Sequence, residues 1–187
     1  VNGAPAVVDG KAIFGGCDAK IHVVSIADGK KIAEIKTDAY IAGSPALTDG
    51  YAYIGNYGGK FLAADVATGR IVWNYEGDGS PIISSAAIDE SRVVFGSRDM
   101  RLHCVRRDSG KPLWTFQARD RINSSPVICD GKVIAGSDDG RLYIVSLADG
   151  RELWSYEIGE PITASPAIAS GIIVVGSEDG YIYAFGK

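Results

Sequence analysis

Residues 132–157 read KVIAGSDDGRLYIVSLADGRELWSYE, and two other segments repeat that order of chemistry: residues 51–76, YAYIGNYGGKFLAADVATGRIVWNYE, and residues 92–117, RVVFGSRDMRLHCVRRDSGKPLWTFQ. Each begins with a short apolar run ending on glycine and turns through polar residues. It then runs apolar again, turns at a second glycine and closes on a stretch centred on tryptophan. Short apolar runs punctuated by glycine and aspartate read as strands and hairpins, and none of them sustains a helical period.

Working outward, Gly15, Gly55, Gly96, Gly136 and Gly176 follow one another at 40, 41, 40 and 40 residues. Pro5, Pro45, Pro126 and Pro166, with Ala86 in the third copy, keep the same ladder. Gly29, Gly69, Gly110 and Gly150 form another. The extra residue of the third copy falls in the Asp89-Glu90-Ser91 turn, where insertion is tolerated. The copies run approximately 3–42, 43–83, 84–123, 124–164 and 165–187, as one repeat domain over residues 1–187.

Each copy predicts four short strands. The first, such as Ser124 to Ile128, ends at Asp9-Gly10, Asp49-Gly50 or Asp130-Gly131, and Asp-Gly between apolar runs signals a tight hairpin. The second, such as Val133 to Gly136, is apolar throughout, as expected of burial on both faces. The third, Leu142 to Val145, reads as alternating. The fourth carries Trp73, Trp114 or Trp154, and the first copy has Ala33 instead. Four antiparallel strands per period of about 40 predict an all-β chain of β-propeller blades, because each small sheet has two apolar faces that neighbouring sheets cover. A two-layer sandwich would not need the same turn at the same phase in every copy. The last copy stops before its outer strand, so the expectation is about five blades, as a closed five-bladed ring or an arc of a larger one. An arc leaves two apolar faces uncovered and is expected to form a homo-oligomer.

Composition narrows the partners. With 46% apolar residues in 187, a substantial core is expected, and a formal charge of -4 supplies no basic field for nucleic acid or an anionic membrane. No run reaches the roughly 18 to 20 apolar residues of a membrane helix, so direct membrane insertion is not expected. The start at Val1 shows neither an initiator methionine nor a signal pattern, which suggests a processed chain or an excised fragment. The 24 glycines match the demand for turns. Cys17, Cys104 and Cys129 form no CxxC motif.

The segment Ala64-Asp65-Val66-Ala67-Thr68-Gly69-Arg70-Ile71-Val72-Trp73, echoed by Asp108 to Trp114 and Ala148 to Trp154, resembles the tryptophan-docking motif of quinoprotein-type (PQQ-like) propellers. The resemblance covers all 187 residues. It implies that Trp73, Trp114 and Trp154 pack between neighbouring blades. The family holds quinone-dependent dehydrogenases, sensor domains, and non-catalytic members such as the outer-membrane assembly lipoprotein of Gram-negative bacteria. Its enzymes set a tricyclic quinone over a tryptophan beneath adjacent cysteines, with calcium nearby. Here there is no Cys-Cys, and all three tryptophans occupy docking positions. The resemblance therefore implies a non-catalytic scaffold that binds a protein partner, in the periplasm or at the cell surface. The alternatives are a fragment of a PQQ-dependent dehydrogenase using PQQ with calcium, or a sensor of a small sugar-like ligand.

Specific function is expected where copies depart from the template. In a propeller the turn after the second strand shares a face with the link leaving the fourth. Departures on that face are Tyr40, Asn56, Tyr57, Arg98, Arg119, Arg121, Asn123 and Glu160. Arginine and tyrosine on rigidly held loops suit partner recognition. Arg98, Arg101, Arg106, Arg107, Arg119 and Arg121 gather basic charge in the third copy, which would suit an acidic partner, although they fall on different turns and strands. Asp99, Asp139 and Asp179 recur at one turn phase, where carboxylates accept local backbone N–H bonds more readily than they bind a cation. His22 and His103 occupy the position of Tyr143 and Tyr183, and neither has a nucleophile or metal partner in the pattern. Cys104 is expected to be buried and inert, and Cys17 exposed.

Overall fold

The glycine ladder marks sites where a side chain does not fit. In the computed structural model, which describes residues 3–186, a Cβ placed on Gly15, Gly55, Gly96 or Gly136 would lie 2.1, 2.3, 2.4 or 2.3 Å from Cγ2 of Ile41, Ile82, Ile122 or Ile162 respectively. Each isoleucine sits on the link leaving a sheet and is at most 1% exposed. Glycine thus ends the second strand so that the link can fold down onto its backbone. Expectations attached to Val1 and Lys187 lie outside the described residues.

The first copy forms β1 (Ala6–Val8), β2 (Lys11–Gly15), β3 (Lys20–Ser25) and β4 (Lys31–Lys36). The second forms β5 (Ala46–Thr48), β6 (Tyr51–Gly55), β7 (Lys60–Asp65) and β8 (Arg70–Glu76). The third forms β9 (Ala87–Ile88), β10 (Arg92–Gly96), β11 (Arg101–Arg106) and β12 (Pro112–Gln117). The fourth forms β13 (Val127–Cys129), β14 (Lys132–Gly136), β15 (Arg141–Ser146) and β16 (Glu152–Glu157). The fifth forms β17 (Ala167–Ala169), β18 (Ile172–Gly176) and β19 (Ile182–Phe185). Every sheet is an antiparallel meander in chain order; four have four strands and the fifth has three. The third and fourth strands of each four-stranded sheet are offset at one place, after Val23, Ala63, Cys104 and Ile144, the added twist expected of a bulge.

The Asp-Gly hairpins adopt the primed turn their sequence predicts. Asp9 and Gly10 have φ of 46° and 70°, Asp49 and Gly50 of 50° and 80°, and Asp130 and Gly131 of 49° and 67°. The third copy departs from this at its extra residue, where Oδ1 of Asp89 accepts from the backbone N–H of Ser91 and Arg92.

The chain divides into two compact units, residues 1–85 with 108–110, and residues 86–107 with 111–187. In the first, Ile13, Ile21, Val23 and Ile35 of the first sheet pack against Ala52, Ile54, Leu62 and Ala64 of the second. In the second, Val94, Leu102, Cys104 and Phe116 of the third sheet meet Val133, Ala135, Tyr143 and Val145 of the fourth, with Phe116 edge-on to Tyr143. The opposite face of the fourth sheet, Ile134 and Leu142, packs on Ile173, Val175, Tyr183 and Phe185 of the fifth. Enclosure on both sides explains why β15 is buried on both faces instead of alternating as its sequence reads. Hydroxyl bonds join neighbouring copies at the same phase. The N–H of Ser44 donates to Oγ of Ser85 at 3.1 Å in one unit, and Oγ of Ser124 donates to the carbonyl of Ala164 at 2.8 Å in the other.

Candidate functional site

The turns after β6, β14 and β18 are each stitched to the link from the preceding sheet. The N–H of Tyr57 donates to the carbonyl of Tyr40 at 2.9 Å, that of Asp138 to Arg121 at 2.9 Å, and that of Glu178 to Pro161 at 3.0 Å. Within each unit, turns and links therefore share one side, as the sequence predicts, and side chains there project from a backbone fixed by hydrogen bonds.

In the first unit this brings Tyr40 and Tyr57 together. Their ring centroids are 6.0 Å apart at 54°, and the residues are 58% and 37% exposed, a large aromatic surface left in water. Beside them Lys60 donates to Asp38 at 2.5 Å and pairs with Glu76 at 3.2 Å; the hydrogen bond to Asp38 foremost holds its ammonium above the usual lysine range. Asn56 does not belong to the exposed set. It is fully buried, and its Oδ1 accepts from the N–H of Gly58 and of Lys60, both at 3.0 Å. Its side chain shapes the turn that presents Tyr57, and its Nδ2 has no hydrogen-bond partner among the described residues.

In the second unit Nε of Arg98 donates to Oδ1 of Asn123 at 3.1 Å, and Nδ2 of Asn123 donates to Oδ2 of Asp138 at 2.6 Å. Oδ1 of Asp138 is buried without a hydrogen-bond partner among the described residues. Burial first, and the charge of Asp120 second, raise the Asp138 carboxyl above its ordinary range, against the opposing pull of Arg121. Arg119 and Arg121 are exposed on the link, where the N–H of Arg119 donates to Oδ2 of Asp139 at 2.9 Å. Glu160 is exposed on the next link. Of the other third-copy arginines, Arg101 bonds Gln117 on its own sheet and Arg107 the carbonyl of Asp89, so the six form no single anion cradle.

The recurring aspartates are turn builders. Oδ1 of Asp99, Asp139 and Asp179 accepts from the N–H two residues on at 3.0, 2.9 and 2.9 Å. Sequence reasoning missed their second oxygen. Oδ2 takes Tyr143 at 2.7 Å, Tyr183 at 2.6 Å and Nε2 of His103 at 2.8 Å, all at a spacing of four residues. That spacing was visible in the sequence, and it explains why histidine replaces tyrosine there: either can donate. The accepting carboxylate raises the Tyr183 phenol to about 12. For Asp99, burial works upward but the hydrogen bond and charge of His103 outweigh it and leave the carboxyl lowered. Among the described residues no group of three or more His, Cys, Asp or Glu could hold a metal ion.

Cys17 and Cys129 are exposed and Cys104 is buried, where burial pushes its thiol up to about 12. A quinone floor does not fit the tryptophans. Trp73 lies against Gly110, Trp114 lies against Gly150, and Trp154 stacks with Tyr156 and meets Phe185 edge-on. The cysteines stand on separate copies, so no adjacent pair can cap a tricyclic ring. No step through PQQ or calcium is supported by these residues.

Repeated four-stranded meanders, each packed face to face on a neighbour at a period of about 40 residues, define the β-propeller repeat class. The chain belongs to the PQQ_2 family, outer membrane protein assembly factor BamB, whose model matches residues 1–89 and 78–186. No curated protein matches it. Among the solved structures that share its fold are the following two. The computationally designed Ika8 protein is 19% identical with a TM-score of 0.88 over 98% of this chain and 57% of its own. BamB from Moraxella catarrhalis is 20% identical with a TM-score of 0.85 over 99% and 61%. The chain thus spans about three fifths of the length of these structures.

Proposed function

We propose that this chain is a non-catalytic scaffold of the outer-membrane protein assembly kind, exported to the periplasm or cell surface, which binds a protein partner through the turns and links of its repeats. The copies 3–42, 43–83, 84–123, 124–164 and 165–187 act as one repeat domain presenting these loops. The observation that carries the reading is the Tyr40–Tyr57 pair, two large aromatic side chains exposed on a backbone fixed by the bond between Tyr57 N–H and the Tyr40 carbonyl. Rigid exposed aromatics bind partners at low entropic cost. Arg98, Arg119, Arg121, Asn123 and Glu160 supply the polar contacts in the second unit, and the Arg98–Asn123 bond presets the guanidinium.

The test is site-specific crosslinking in cells, with a photoreactive residue at position 57. A crosslinked partner lost in Tyr40→Ala supports the aromatic pair as a contact, and one lost in an Arg98→Glu, Arg119→Glu, Arg121→Glu triple variant supports the polar contacts of the second unit. A partner retained by both variants shows that binding lies elsewhere.

A further inference from the structure

The turn between β10 and β11 departs from the small residue that every other copy keeps at one position. Four residues after the glycine that ends the second strand, the copies carry Ala19, Gly59, Met100, Gly140 and Gly180. All five are left-handed, with φ of 59°, 77°, 68°, 78° and 85°. Glycine adopts that conformation freely, whereas a side chain there is strained. Met100 holds the strained conformation although it is 41% exposed.

The link opposite this turn has changed with it. In the second copy a Cβ on Gly59 would lie 2.6 Å from the backbone of Gly79, and in the fourth a Cβ on Gly140 would lie 2.8 Å from that of Gly159. Both link glycines are left-handed, with φ of 92° and 109°. The third copy places Arg119 at their position, three residues before the link isoleucine, and Arg119 has no positive φ. The N–H of Gly159 donates to the carbonyl of Gly140, whereas that of Arg119 donates to Oδ2 of Asp139 on the next turn. The bond from Ala118 N–H to the Met100 carbonyl is kept at 2.9 Å. The link is thus tied to the fourth copy at the point where other copies press glycine on glycine, which leaves room for the Met100 Cβ.

Two matched departures, a strained residue and a re-tied link, present a large apolar side chain where glycine satisfies the fold. Strain kept at an exposed turn points to function, and methionine adapts its unbranched side chain to an apolar contact. The surrounding charge is basic. Arg98 precedes Met100 by two residues, Arg101 and Arg119 are exposed, and Asp99 is buried in its bond to His103, which leaves Asp120 as the exposed carboxylate of this link. We propose that Met100 is a specificity-determining contact that seats an apolar side chain of a protein segment whose adjacent carboxylates meet Arg98, Arg101 and Arg119. Arginine takes carboxylates in a forked geometry, so an acidic segment is selected and a basic one repelled. This inference rests on the reading of the chain as a partner-binding scaffold and adds the chemistry of the segment bound at the third copy.

The test places a photoreactive residue at position 120, on the link beside Met100, in cells that make the protein, with the position 57 probe run in parallel. The expected result is a partner adduct at 120 whose crosslinked peptide carries Asp or Glu adjacent to an apolar side chain. Met100→Leu should keep that adduct, whereas Met100→Gly and Met100→Glu should lower it at least about fivefold. The purified Met100→Gly chain should melt no lower than the unaltered chain, because glycine relieves the turn, so that a lost adduct reports lost contact and not unfolding. An adduct at 57 with none at 120 overturns the proposal and leaves the scaffold reading standing, and no adduct at either position overturns both. An adduct indifferent to Met100→Gly, a basic crosslinked peptide, or a Met100→Gly chain that melts below the unaltered one overturns the proposal alone.

Discussion

Trp73 lies so close to Gly110 that a Cβ on that glycine would come within 2.5 Å of the indole Cε3. The preceding copy offers a matched comparison inside the same unit. Gly69 has the same φ of 67°, but the first copy carries Ala33 where the others carry tryptophan, and a Cβ on Gly69 would sit 3.8 Å from Ala33. Gly69→Ala should therefore cost only the strain of a positive φ, about 1 kcal/mol. Gly110→Ala adds an overpacking penalty of about 1–3 kcal/mol. Urea unfolding of the two variants checks this, and equal losses would show that the tryptophan contact contributes nothing.

The buried pair of His103 and Asp99 is a second target. Asp99→Ala leaves the buried imidazole without its 2.8 Å acceptor and should destabilise by about 1–3 kcal/mol. His103→Tyr installs the residue found at this phase in the fourth and fifth copies and should retain more stability than His103→Phe, which cannot donate. Thermal melting of the three variants distinguishes loss of the bond from loss of ring packing.

Two aspartates should respond to acid in opposite senses. The folded-state carboxyl of Asp99 is lowered, with the His103 bond and charge outweighing burial, so its stabilisation is present at neutral pH and is lost as pH falls below about 4. The carboxyl of Asp138 is raised by burial and by Asp120, so its ionised form opposes folding at neutral pH. Asp138→Asn keeps an oxygen to accept from Asn123 and removes that charge. It should raise the melting temperature at pH 7, with the gain shrinking as pH falls toward 4 and the native carboxyl takes up its proton.

Thiol titration reads the burial of the cysteines. Cys17 and Cys129 are exposed and should react with an aromatic disulfide reagent in the native state. Cys104, buried with its thiol pushed up to about 12, should react only after denaturant is added. Three fast thiols in the native protein would contradict the packing of the third sheet against the fourth.

The legible part of this fold is the part that repeats. The ladders through Gly15 and Gly29, the Asp-Gly hairpins and the fourth-strand tryptophans each mark a turn or a close approach that every copy repeats at one phase, and a requirement that recurs at a fixed period survives reading in one dimension. Burial on both faces of β15 did not, because it depends on a neighbouring sheet covering a face that looks alternating by itself. The same holds for the site. That Tyr40 and Tyr57 share a side followed from the phase of turns and links, whereas the burial of Asn56 appeared only once its carbonyl was seen to cap two backbone N–H groups. Sequence alone determined the period, the strand count per copy, and the turns that aspartate and glycine build, since these arise from residues adjacent in the chain. Only the tertiary structure decided which residues of each copy face water and which face of each strand a neighbouring sheet covers. Those facts depend on what packs against a strand from a distance of about 40 residues, and no local pattern encodes that.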